Sequence, residues 1–517
     1  MYTGHQIRKA RPATPFRSWA IFAVILLCIA AAVAARAQTF TTLASLGSNL
    51  DGPLIQGTDG NFYGVTPSGG ADNPACGSNG CGTVFKVTPT GTITIFHSFC
   101  SQANCADGLF PSSLIRGGDG NFYGVAGGHA GTSPSGMVFR ITPSGTFTIL
   151  YESDGFTPTT LMQAFSGGVY GDFYGTTATG GASTECQNGC GTVFHLTPQA
   201  HLTTLYSLCS QADCADGSNA GTLIQSAGGD LWGANATGGF LCSFLSTPCG
   251  TTFRMSPDGE WTTMHMFVFQ NGFLPNVPLV ETSDGTLYGT ARYGGNGSGA
   301  CPGQGCGTFF KMSPSNGHVA LLYPFCPLYS HCVDGQLPNS VIEATDGSFY
   351  GTAYKGGTGC PVVTQYGTLI YGCGTIFRVS AEGTLATLYD FCAGGGNCSD
   401  GSYPLNALVQ GTDGKFYGST TSGGASGSGT LFSLDVGLAP FVTFLVGEGC
   451  VGKTVGILGQ GFRNTTNVSF NGTPASFTVK SDIYLTAVVP AGATTGSVSV
   501  TTPSGRLSSN VAFRVTN

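Results

Sequence analysis

Seven copies of one short pattern, an aromatic residue followed by glycine after a tight Asp/Gly-type turn, recur along this chain of 517 residues. Successive copies lie 51 to 67 residues apart, a spacing typical of repeat architectures. Each copy is expected to build the same small unit, so the copies predict how the chain is divided. They are Tyr63-Gly64, Tyr123-Gly124, Tyr174-Gly175, Trp232-Gly233, Tyr288-Gly289, Tyr350-Gly351 and Tyr417-Gly418.

Each repeat contains four short segments with the residue preferences of antiparallel strands. Asp59-Gly60 and Pro89-Thr90-Gly91 supply the turns of the first copy, since Asp and Gly tolerate the positive φ of tight hairpins. Four antiparallel strands per repeat are typical of one blade of a β-propeller. The predicted strands of the first copy are Leu54–Gln56, Asn61–Thr66, Thr83–Thr88 and Thr92–Phe99.

The last repeat stops after Leu434 and lacks its fourth strand. Thr39–Leu46, ahead of the first repeat, has the pattern of a fourth strand without a blade of its own. Pairing of the two ends would close a ring and hide two sheet edges. We therefore predict an all-β fold with a seven-bladed β-propeller over residues 38–437, in which Thr39–Leu46 pairs beside Gly429–Leu434.

The repeat pattern DGNFYG followed by GCGTVFKVTPTGT resembles the GloVer (Gloeobacter–Verrucomicrobia) tandem repeat of secreted bacterial proteins, over Gln38–Val436. This resemblance implies the architecture and no particular activity. The pattern is more distantly similar to the streptogramin-lyase-like propellers, whose chemistry depends on His and acidic residues at one mouth. No catalytic residue is carried over, because no common position is found for His97, His129, His195, His201, His265, His318 and His331.

The composition changes at residue 438, where the repeat and its paired cysteines stop. Strands with Gly, Pro and Asn turns follow, as in Val451–Phe462 and Val468–Phe477. Residues 438–517 resemble an IPT/TIG domain, an immunoglobulin-like β-sandwich. The resemblance implies a spacer or an interaction module.

The first 37 residues have the pattern of an export signal. An apolar run from Trp19 to Ala35 leads to a small-x-small cleavage site, Ala35-Arg36-Ala37. An uncleaved membrane anchor is the alternative. No later stretch approaches the roughly 20 apolar residues of a membrane span, so we expect a secreted or cell-surface protein. The basic residues that precede the apolar run are Arg8, Lys9, Arg11 and Arg17.

The mature chain is acidic. Cleavage after Ala37 leaves 14 Lys and Arg against 26 Asp and Glu, a net charge of −12. A negative surface disfavours nucleic acids and anionic membranes as partners and allows neutral glycans or cations. We expect a monomer.

Eighteen of the 19 mature cysteines form close pairs at two recurring places, the loop before the third strand and the segment after the fourth. A blade that lacks one member of a pair lacks both, which favours disulfides, and an exported protein meets an oxidising environment. Zinc is the alternative, but the pairs have no regular His companions. Cys450 is left over, as a buried thiol or an intermolecular partner. The pairs are Cys76/Cys81, Cys100/Cys105, Cys186/Cys190, Cys209/Cys214, Cys242/Cys249, Cys301/Cys306, Cys326/Cys332, Cys360/Cys373 and Cys392/Cys398.

Three further positions recur once per repeat. The aromatic residues could stack on sugars, but packing between blades suits a repeated structural task. A polar, mostly basic position in the third strand could form an anion-binding ring or could cover neighbouring blades: Lys86, Arg140, His195, Arg254, Lys311, Arg378 and Ser433. An acidic position before Gly could hold Ca²⁺ or could form Asx turns: Asp51, Asp107, Asp154, Asp216, Asn271, Asp334 and Asp400.

No HExxH, GxSxG or P-loop pattern is present, so we assign no catalytic, cofactor-binding or metal-binding residue. The expected function is extracellular binding, with a glycan or cell-envelope ligand. A lyase or hydrolase on the propeller scaffold and a passive surface component are the alternatives.

Overall fold

The fold is described by a computed structural model. It covers residues 1, 38–48, 50–70, 73–129, 135–166, 169–242, 248–275, 278–295, 301, 303–327, 332–360, 363–365, 368–370 and 372–516. The expected export segment, apart from residue 1, lies outside the described residues, as does His331.

Strands make up nearly all of the regular structure, and short 3₁₀ turns occur at Pro74–Asn79, Ala103–Cys105 and Ala212–Cys214. No helix in the described part of the chain is long and apolar enough to cross a membrane. After β1 (Thr39–Ser45), the strands of blades 1 to 3 are β2 (Asp51–Gln56), β3 (Phe62–Thr66), β4 (Thr83–Val87), β5 (Ile93–Ser98), β6 (Leu109–Arg116), β7 (Phe122–Gly127), β8 (Ser135–Ile141), β9 (Phe147–Asp154), β10 (Pro158–Ser166), β11 (Val169–Thr177), β12 (Thr192–Leu196) and β13 (Leu202–Ser207).

Blades 4 to 7 follow the same plan, although in blades 4 and 7 the first strand is divided into two short pieces. Blade 6 carries an extra small hairpin, β25–β26, in its long loop. The strands are β14 (Ser218–Ala220), β15 (Ile224–Gln225), β16 (Leu231–Thr237), β17 (Thr251–Met255), β18 (Trp261–Met266), β19 (Val280–Glu281), β20 (Leu287–Ala291), β21 (Thr308–Met312), β22 (Val319–Pro324), β23 (Gln336–Glu343), β24 (Phe349–Lys355), β25 (Val363–Gln365), β26 (Thr368–Ile370), β27 (Thr375–Val379), β28 (Leu385–Asp390), β29 (Ser402–Pro404), β30 (Val409–Gln410), β31 (Phe416–Ser422) and β32 (Thr430–Asp435).

The N-terminal strand supplies the fourth strand of blade 7, as the sequence predicts. β1 pairs antiparallel with β32, from Thr39 opposite Asp435 to Ser45 opposite Thr430. The pairing contains a bulge at the position where the third and fourth strands of the other six blades also shift register. β1 therefore reproduces the geometry of a true fourth strand, and a strand from each end of the propeller region completes one sheet.

Hydrophobic clusters fill the seams between consecutive blades. Tyr63 of blade 1 packs in one cluster with Leu114 and Phe139 of blade 2, and the same arrangement continues around the ring. Tyr417 of blade 7 shares a cluster with Phe62 of blade 1. The seam between the last and first blades is thus built like the others, and the seven sheets form a continuous ring.

The glycine of each aromatic–glycine pair makes room for a phenylalanine of the third strand. A Cβ on Gly64 would lie 2.8 Å from Phe85 Cζ, and one on Gly124 would lie 2.4 Å from Phe139 Cζ. The same conflict arises in every blade, because the tip of the phenylalanine ring occupies the space beside the glycine. The remaining pairs are Gly175–Phe194, Gly233–Phe253, Gly289–Phe310, Gly351–Phe377 and Gly418–Phe432.

The C-terminal region folds into two four-stranded sheets around one core. One sheet has the order β33-β35-β39-β38 and the other β37-β36-β40-β41, while β34 and β42 pair in parallel. Ile457, Val468, Val500 and Phe513 belong to the core between them. The strands are β33 (Thr443–Phe444), β34 (Glu448–Cys450), β35 (Thr454–Leu458), β36 (Asn467–Phe470), β37 (Thr473–Pro474), β38 (Phe477–Val479), β39 (Tyr484–Val488), β40 (Val498–Thr502), β41 (Gly505–Ser508) and β42 (Arg514–Thr516).

We predict that Gly124→Ala destabilises the propeller by about 1–3 kcal/mol, because the added methyl group overlaps the Phe139 ring in a filled core. The urea midpoint of unfolding, followed by tryptophan fluorescence, measures the effect. Gly394→Ala is the matched control, since its Cβ would meet nothing within 4 Å and its φ is not positive. Equal midpoints for the two variants would contradict this explanation of the repeated glycine.

Candidate ligand-binding face

Antiparallel connectivity places the loops of every blade on two opposite faces of the ring. The turns between first and second strands and between third and fourth strands lie on one face, which we call the turn face. The loops between second and third strands, and the connections from one blade to the next, lie on the other. Since these carry the eighteen paired cysteines, we call it the disulfide face.

The C-terminal domain covers the centre of the turn face. Phe441 N of the C-terminal domain donates to Thr412 O of blade 7 at 3.1 Å. Arg116 Nη2 of blade 2 donates to Phe444 O of the C-terminal domain at 3.0 Å. Arg514 donates to Ala227 O in blade 4, and the side chain of Ile483 approaches Gly60 in blade 1. Arg116 ends the innermost strand of its blade, so this contact lies near the axis of the ring.

A ring of polar side chains joins neighbouring blades on the turn face, and the sequence reasoning missed it. In five of the seven blades a Gln or Glu in the second half of the first strand accepts a hydrogen bond from a backbone N–H of the preceding blade. Glu343, at this position in blade 6, makes no such bond within the described residues. Gln56 closes the ring by accepting from Thr412 N at 3.1 Å. The other four bonds are Gly118 N to Gln163, Phe165 N to Gln225, Ala227 N to Glu281 and Thr345 N to Gln410, at 2.8 to 3.1 Å.

Blade 2 departs from this ring, because Arg116 stands at the Gln position. Its Nη1 donates to Gln56 O of blade 1, while Nη2 reaches the C-terminal domain. Burial lowers the pKa of Arg116 to about 10, which leaves the guanidinium charged at neutral pH. Arg116 therefore joins two blades and a second domain with one side chain.

The aromatic residues of the repeat pack between blades. The ring of Tyr63 lies 4.1 Å from that of Phe122 in the next blade, and Tyr417 lies 4.1 Å from Phe62. All seven are buried, with at most 7% of the residue exposed. The hydroxyl group of Tyr63 donates to Asp59 of the turn at 2.9 Å. These residues are therefore not placed to stack on a sugar.

The recurring basic residues of the third strand lie two strands away from the axis and do not line the centre of the ring. Several pair with the acidic residue of the first turn, as Arg378 does with Asp346 at 3.2 Å and Lys86 with Asp59 at 3.9 Å. These ion pairs favour the interpretation that the basic side chains cover neighbouring strands over the interpretation that they form a shared anion site.

The acidic positions before Gly are not all equivalent. Asp107, Asp216, Asp334 and Asp400 accept hydrogen bonds from backbone N–H groups of the preceding cysteine loop. Asn271 accepts one from Val268 N, in a segment without cysteines. Asp154 is exposed and directly ends its strand, so it plays no such part, and the side chain of Asp51 lies outside the described ones. The seven positions are therefore not one equivalent set, because Asp154 follows its strand without the intervening loop.

Two of the histidines share a position that the sequence analysis did not identify. His97 lies 3.4 Å from Asp107, and His265 bonds Asn271 at 2.9 Å. Tyrosines occupy the same place in other blades, where Tyr323 donates to Asp334 at 2.9 Å. Burial lowers the pKa of His97, and its ring stacks on Phe147 at 4.1 Å. Either Tyr or His stands at this position, beside a carboxylate that already accepts backbone hydrogen bonds. We therefore interpret His97 as a structural residue.

The nine cysteine pairs of the sequence analysis lie at disulfide distance, with Cα–Cα separations of 3.9 to 5.5 Å, and Cys450 is unpaired within the described residues. Where a blade has two pairs they are neighbours, so that sulfurs of Cys360, Cys373, Cys392 and Cys398 all lie within 4.8 Å of one another. A backbone bond joins each of several such loops to the next blade, for example Tyr403 N to Cys373 O at 2.7 Å.

Cys242 and Cys249 of blade 4 form the predicted loop pair, without a second pair beside it. Their Cα atoms lie 5.2 Å apart, but Cys249 belongs to no cluster of three sulfurs within 4.8 Å of one another among the described residues. The reason is that no cysteine pair follows the fourth strand of this blade, where Asn271 holds the segment instead. Cys249 is nevertheless fully buried, and Leu274 N of the next blade donates to its carbonyl oxygen at 3.1 Å. A structural zinc ion needs four ligands, and the described chain offers only two cysteines at this place. This favours a disulfide between Cys242 and Cys249.

The disulfide face exposes apolar and cationic side chains. Phe240 and Leu241, in the loop of blade 4, are 57% and 70% exposed. Arg292 and Lys355 approach each other around Tyr354, at the ends of the second strands of blades 5 and 6. A cleft of about 450 Å³ lies between blades 7 and 1, but glycine, serine and one asparagine line it, and no charged or aromatic side chain faces it.

The fold and the two faces define a β-propeller with an immunoglobulin-like domain docked on its turn face. The chain belongs to the Gloeobacter/Verrucomicrobia repeat family, whose model matches residues 30–186 and 167–364. The IPT/TIG domain matches residues 442–515. Comparison with curated proteins finds no match.

Solved structures with a similar arrangement include several enzymes. A fungal alcohol oxidase of the AA5 family in complex with copper is 12% identical, over 93% of this chain and 99% of its own, with a TM-score of 0.49. A gluconolactonase from Xanthomonas campestris is 13% identical over 78% and 92% (TM-score 0.37), and an oligogalacturonate lyase from Vibrio parahaemolyticus is 8% identical over 77% and 93% (TM-score 0.42). At these values the likeness says nothing about activity.

We predict that Arg116→Gln loosens the C-terminal domain, because a hydrogen bond from a charged donor is typically worth about 1.5–3 kcal/mol. Limited proteolysis near residues 436–441 should become faster while the propeller stays intact. Arg254→Gln is the control, as it removes an exposed guanidinium paired with Asp230. Equal cleavage rates in both variants would show that Arg116 does not hold the domain.

We predict one titratable thiol per mature chain, that of Cys450, after denaturation with a chelator and no reductant. Thiol titration and non-reducing peptide mapping measure this directly. If the pairs hold zinc instead, all 19 mature cysteines will titrate and metal analysis will find zinc. Crosslinks between blades would contradict the local pairing.

Proposed function

We propose that the protein is a secreted or cell-surface binding protein whose ligand is a glycan, bound on the disulfide face. The main support is the position of the C-terminal domain, which occupies the centre of the turn face and leaves the disulfide face open. A ligand of the propeller then has one broad surface available.

The loops on that face suit binding. Varied loops on a rigid scaffold are where binding groups usually collect. Crosslinks within these loops reduce the conformational freedom that a ligand would otherwise have to remove. The exposed side chains of Phe110 and Phe240 offer apolar contacts on the same surface.

The propeller offers little support for catalysis among its described residues. The His–Asp contact of blade 1 is a variant of the Tyr–Asp contact of other blades, and its carboxylate already accepts bonds from Ser101 and Gln102. A general base must be free to accept a proton from a substrate. The Asp107 carboxylate is instead engaged in holding a loop.

The test is a screen of the mature protein against glycans and cell-wall preparations, with and without Ca²⁺. We expect binding that the double variant Phe240→Ser/Leu241→Ser weakens, because it removes exposed apolar surface from the disulfide face. The matched control is Val451→Ser/Val511→Ser, which removes apolar surface of similar exposure from the C-terminal domain.

Two results would contradict the proposal. One is turnover of a polysaccharide or lactone without stable binding, which favours an enzyme. The other is binding that depends on Val451 and Val511 and not on the loop of blade 4, which places the ligand on the C-terminal domain.

A further inference from the structure

Two positions at the ends of the second strands distinguish blades 5 and 6 from the rest of the ring. In the other blades these positions hold small residues, whereas blades 5 and 6 have Arg292-Tyr293 and Tyr354-Lys355. The small residues are Pro67-Ser68, Gly127-Gly128, Ala178-Thr179, Ala236-Thr237 and Thr421-Ser422. A repeat that is otherwise regular has therefore placed two cations and two aromatic rings together on the disulfide face.

The two cations converge on one aromatic ring. Arg292 Cζ lies 5.2 Å from the centroid of the Tyr354 ring, and Lys355 Nζ lies 5.9 Å from the same centroid. The ring of Tyr403, at the start of the innermost strand of blade 7, lies 5.4 Å from that of Tyr354. All four side chains are half-buried and retain solvent access.

Arg292 is held in place by a buried amide. Its Nη1 donates to Asn339 Oδ1 at 3.4 Å, and Asn339 Nδ2 donates to Thr352 Oγ1 at 3.0 Å and to Pro404 O at 2.8 Å. Because both hydrogens of the amide are used in the core, its oxygen is fixed toward the guanidinium. The cation is thus positioned before any ligand arrives.

Neither cation has a carboxylate within 4 Å among the described residues. Five other cations do, and the remaining described cations, such as Arg140 and Lys311, do not. What distinguishes Arg292 and Lys355 is that both lie beside one aromatic ring. The nearby acids are engaged elsewhere: Asp334 accepts from Tyr323 and Cys326, and Asp390 accepts from Thr358. The segments of blades 5 and 6 outside the described residues contain no Asp or Glu in the sequence.

Proximity of like charges in a partly dehydrated place is unfavourable without a counter-ion. Burial and the nearby Arg292 lower the pKa of Lys355, in agreement with this. A bound anion would remove the repulsion, and a guanidinium fork matches the two oxygens of a carboxylate.

We propose that Arg292 and Lys355 bind the carboxylate of an acidic saccharide, with Tyr403 contacting the sugar ring. This inference rests on the proposed glycan-binding function and specifies a ligand class and a location. The overall negative charge of the mature chain restricts binding of an acidic ligand to this site. Such a ligand is attracted by the two cations and repelled by most of the remaining surface.

The experiment is calorimetric titration with an oligomer of galacturonic acid, at low salt and at physiological salt. The probes for comparison are its methyl ester, which lacks the charge, a sulfated oligosaccharide of equal length and a poly-glutamate peptide. We expect the uronate to bind, the ester to bind at least about tenfold more weakly, and added salt to weaken the uronate interaction.

The variants are Arg292→Gln, Lys355→Gln and Tyr403→Ala, and the matched control is Lys311→Gln, which removes an exposed cation from the third strand of blade 5. We expect each site variant to weaken uronate binding at least about tenfold and the control to leave it unchanged. Thermal unfolding of all variants checks folding. Lys355→Gln, which removes one of two like charges, should not lower the unfolding temperature.

Three results would overturn the inference: no binding of the uronate, equal binding by the site variants and the control, or equal affinity for poly-glutamate, which would indicate an acidic peptide. Preference for the sulfated probe would overturn the carboxylate assignment. If the site variants still bind a neutral glycan from the screen, the proposed function survives and this inference fails.

Discussion

The contact between the third-strand phenylalanine and the glycine beneath it is the constraint on which the propeller depends. The ring of Phe139 occupies the space that a Cβ on Gly124 would need, and the same holds in every blade. The aromatic residue before the glycine points to the other face of the sheet. There it crosses the seam, as where Tyr63 meets Phe122 of the next blade. Packing inside a blade and packing between blades are therefore coupled through two adjacent residues. This coupling explains why the pair is repeated as a unit while the loops vary.

The two faces have different tasks because of how each is joined. On the turn face, side chains such as Gln56 connect blade to blade, and Arg116 extends that connection to the C-terminal domain. On the disulfide face, backbone bonds such as that from Tyr403 N to Cys373 O join neighbouring blades, and each cysteine pair is local to one loop. Side chains on the disulfide face are consequently less needed for assembly. That freedom is what allows blades 5 and 6 to depart from the repeat at Arg292 and Lys355.

Sequence reasoning predicted the parts of the fold that depend on periodic signals. The exchange of β1 into blade 7 followed from a missing strand at one end and a surplus strand at the other. The Gln ring could have been found as well, since a polar residue ends the apolar first strand of nearly every repeat. The equivalence of Asp107 and Asp154 failed because a shared Asp-Gly dipeptide does not reveal how much loop precedes it. Docking of the C-terminal domain had no sequence signal, because Arg116 and Arg514 bind backbone carbonyl oxygens, which every residue has.

Departures from the repeat mark the positions where a blade does something that its neighbours do not. Arg116 replaces the Gln of the ring and holds a second domain, which is a structural departure with an identifiable partner. Arg292 and Lys355 replace small residues, contact the Tyr354 ring and have no carboxylate beside them in the described chain. A buried amide, that of Asn339, orients Arg292. An oriented cation without a carboxylate beside it is the arrangement expected of a group whose anionic partner comes from outside the molecule.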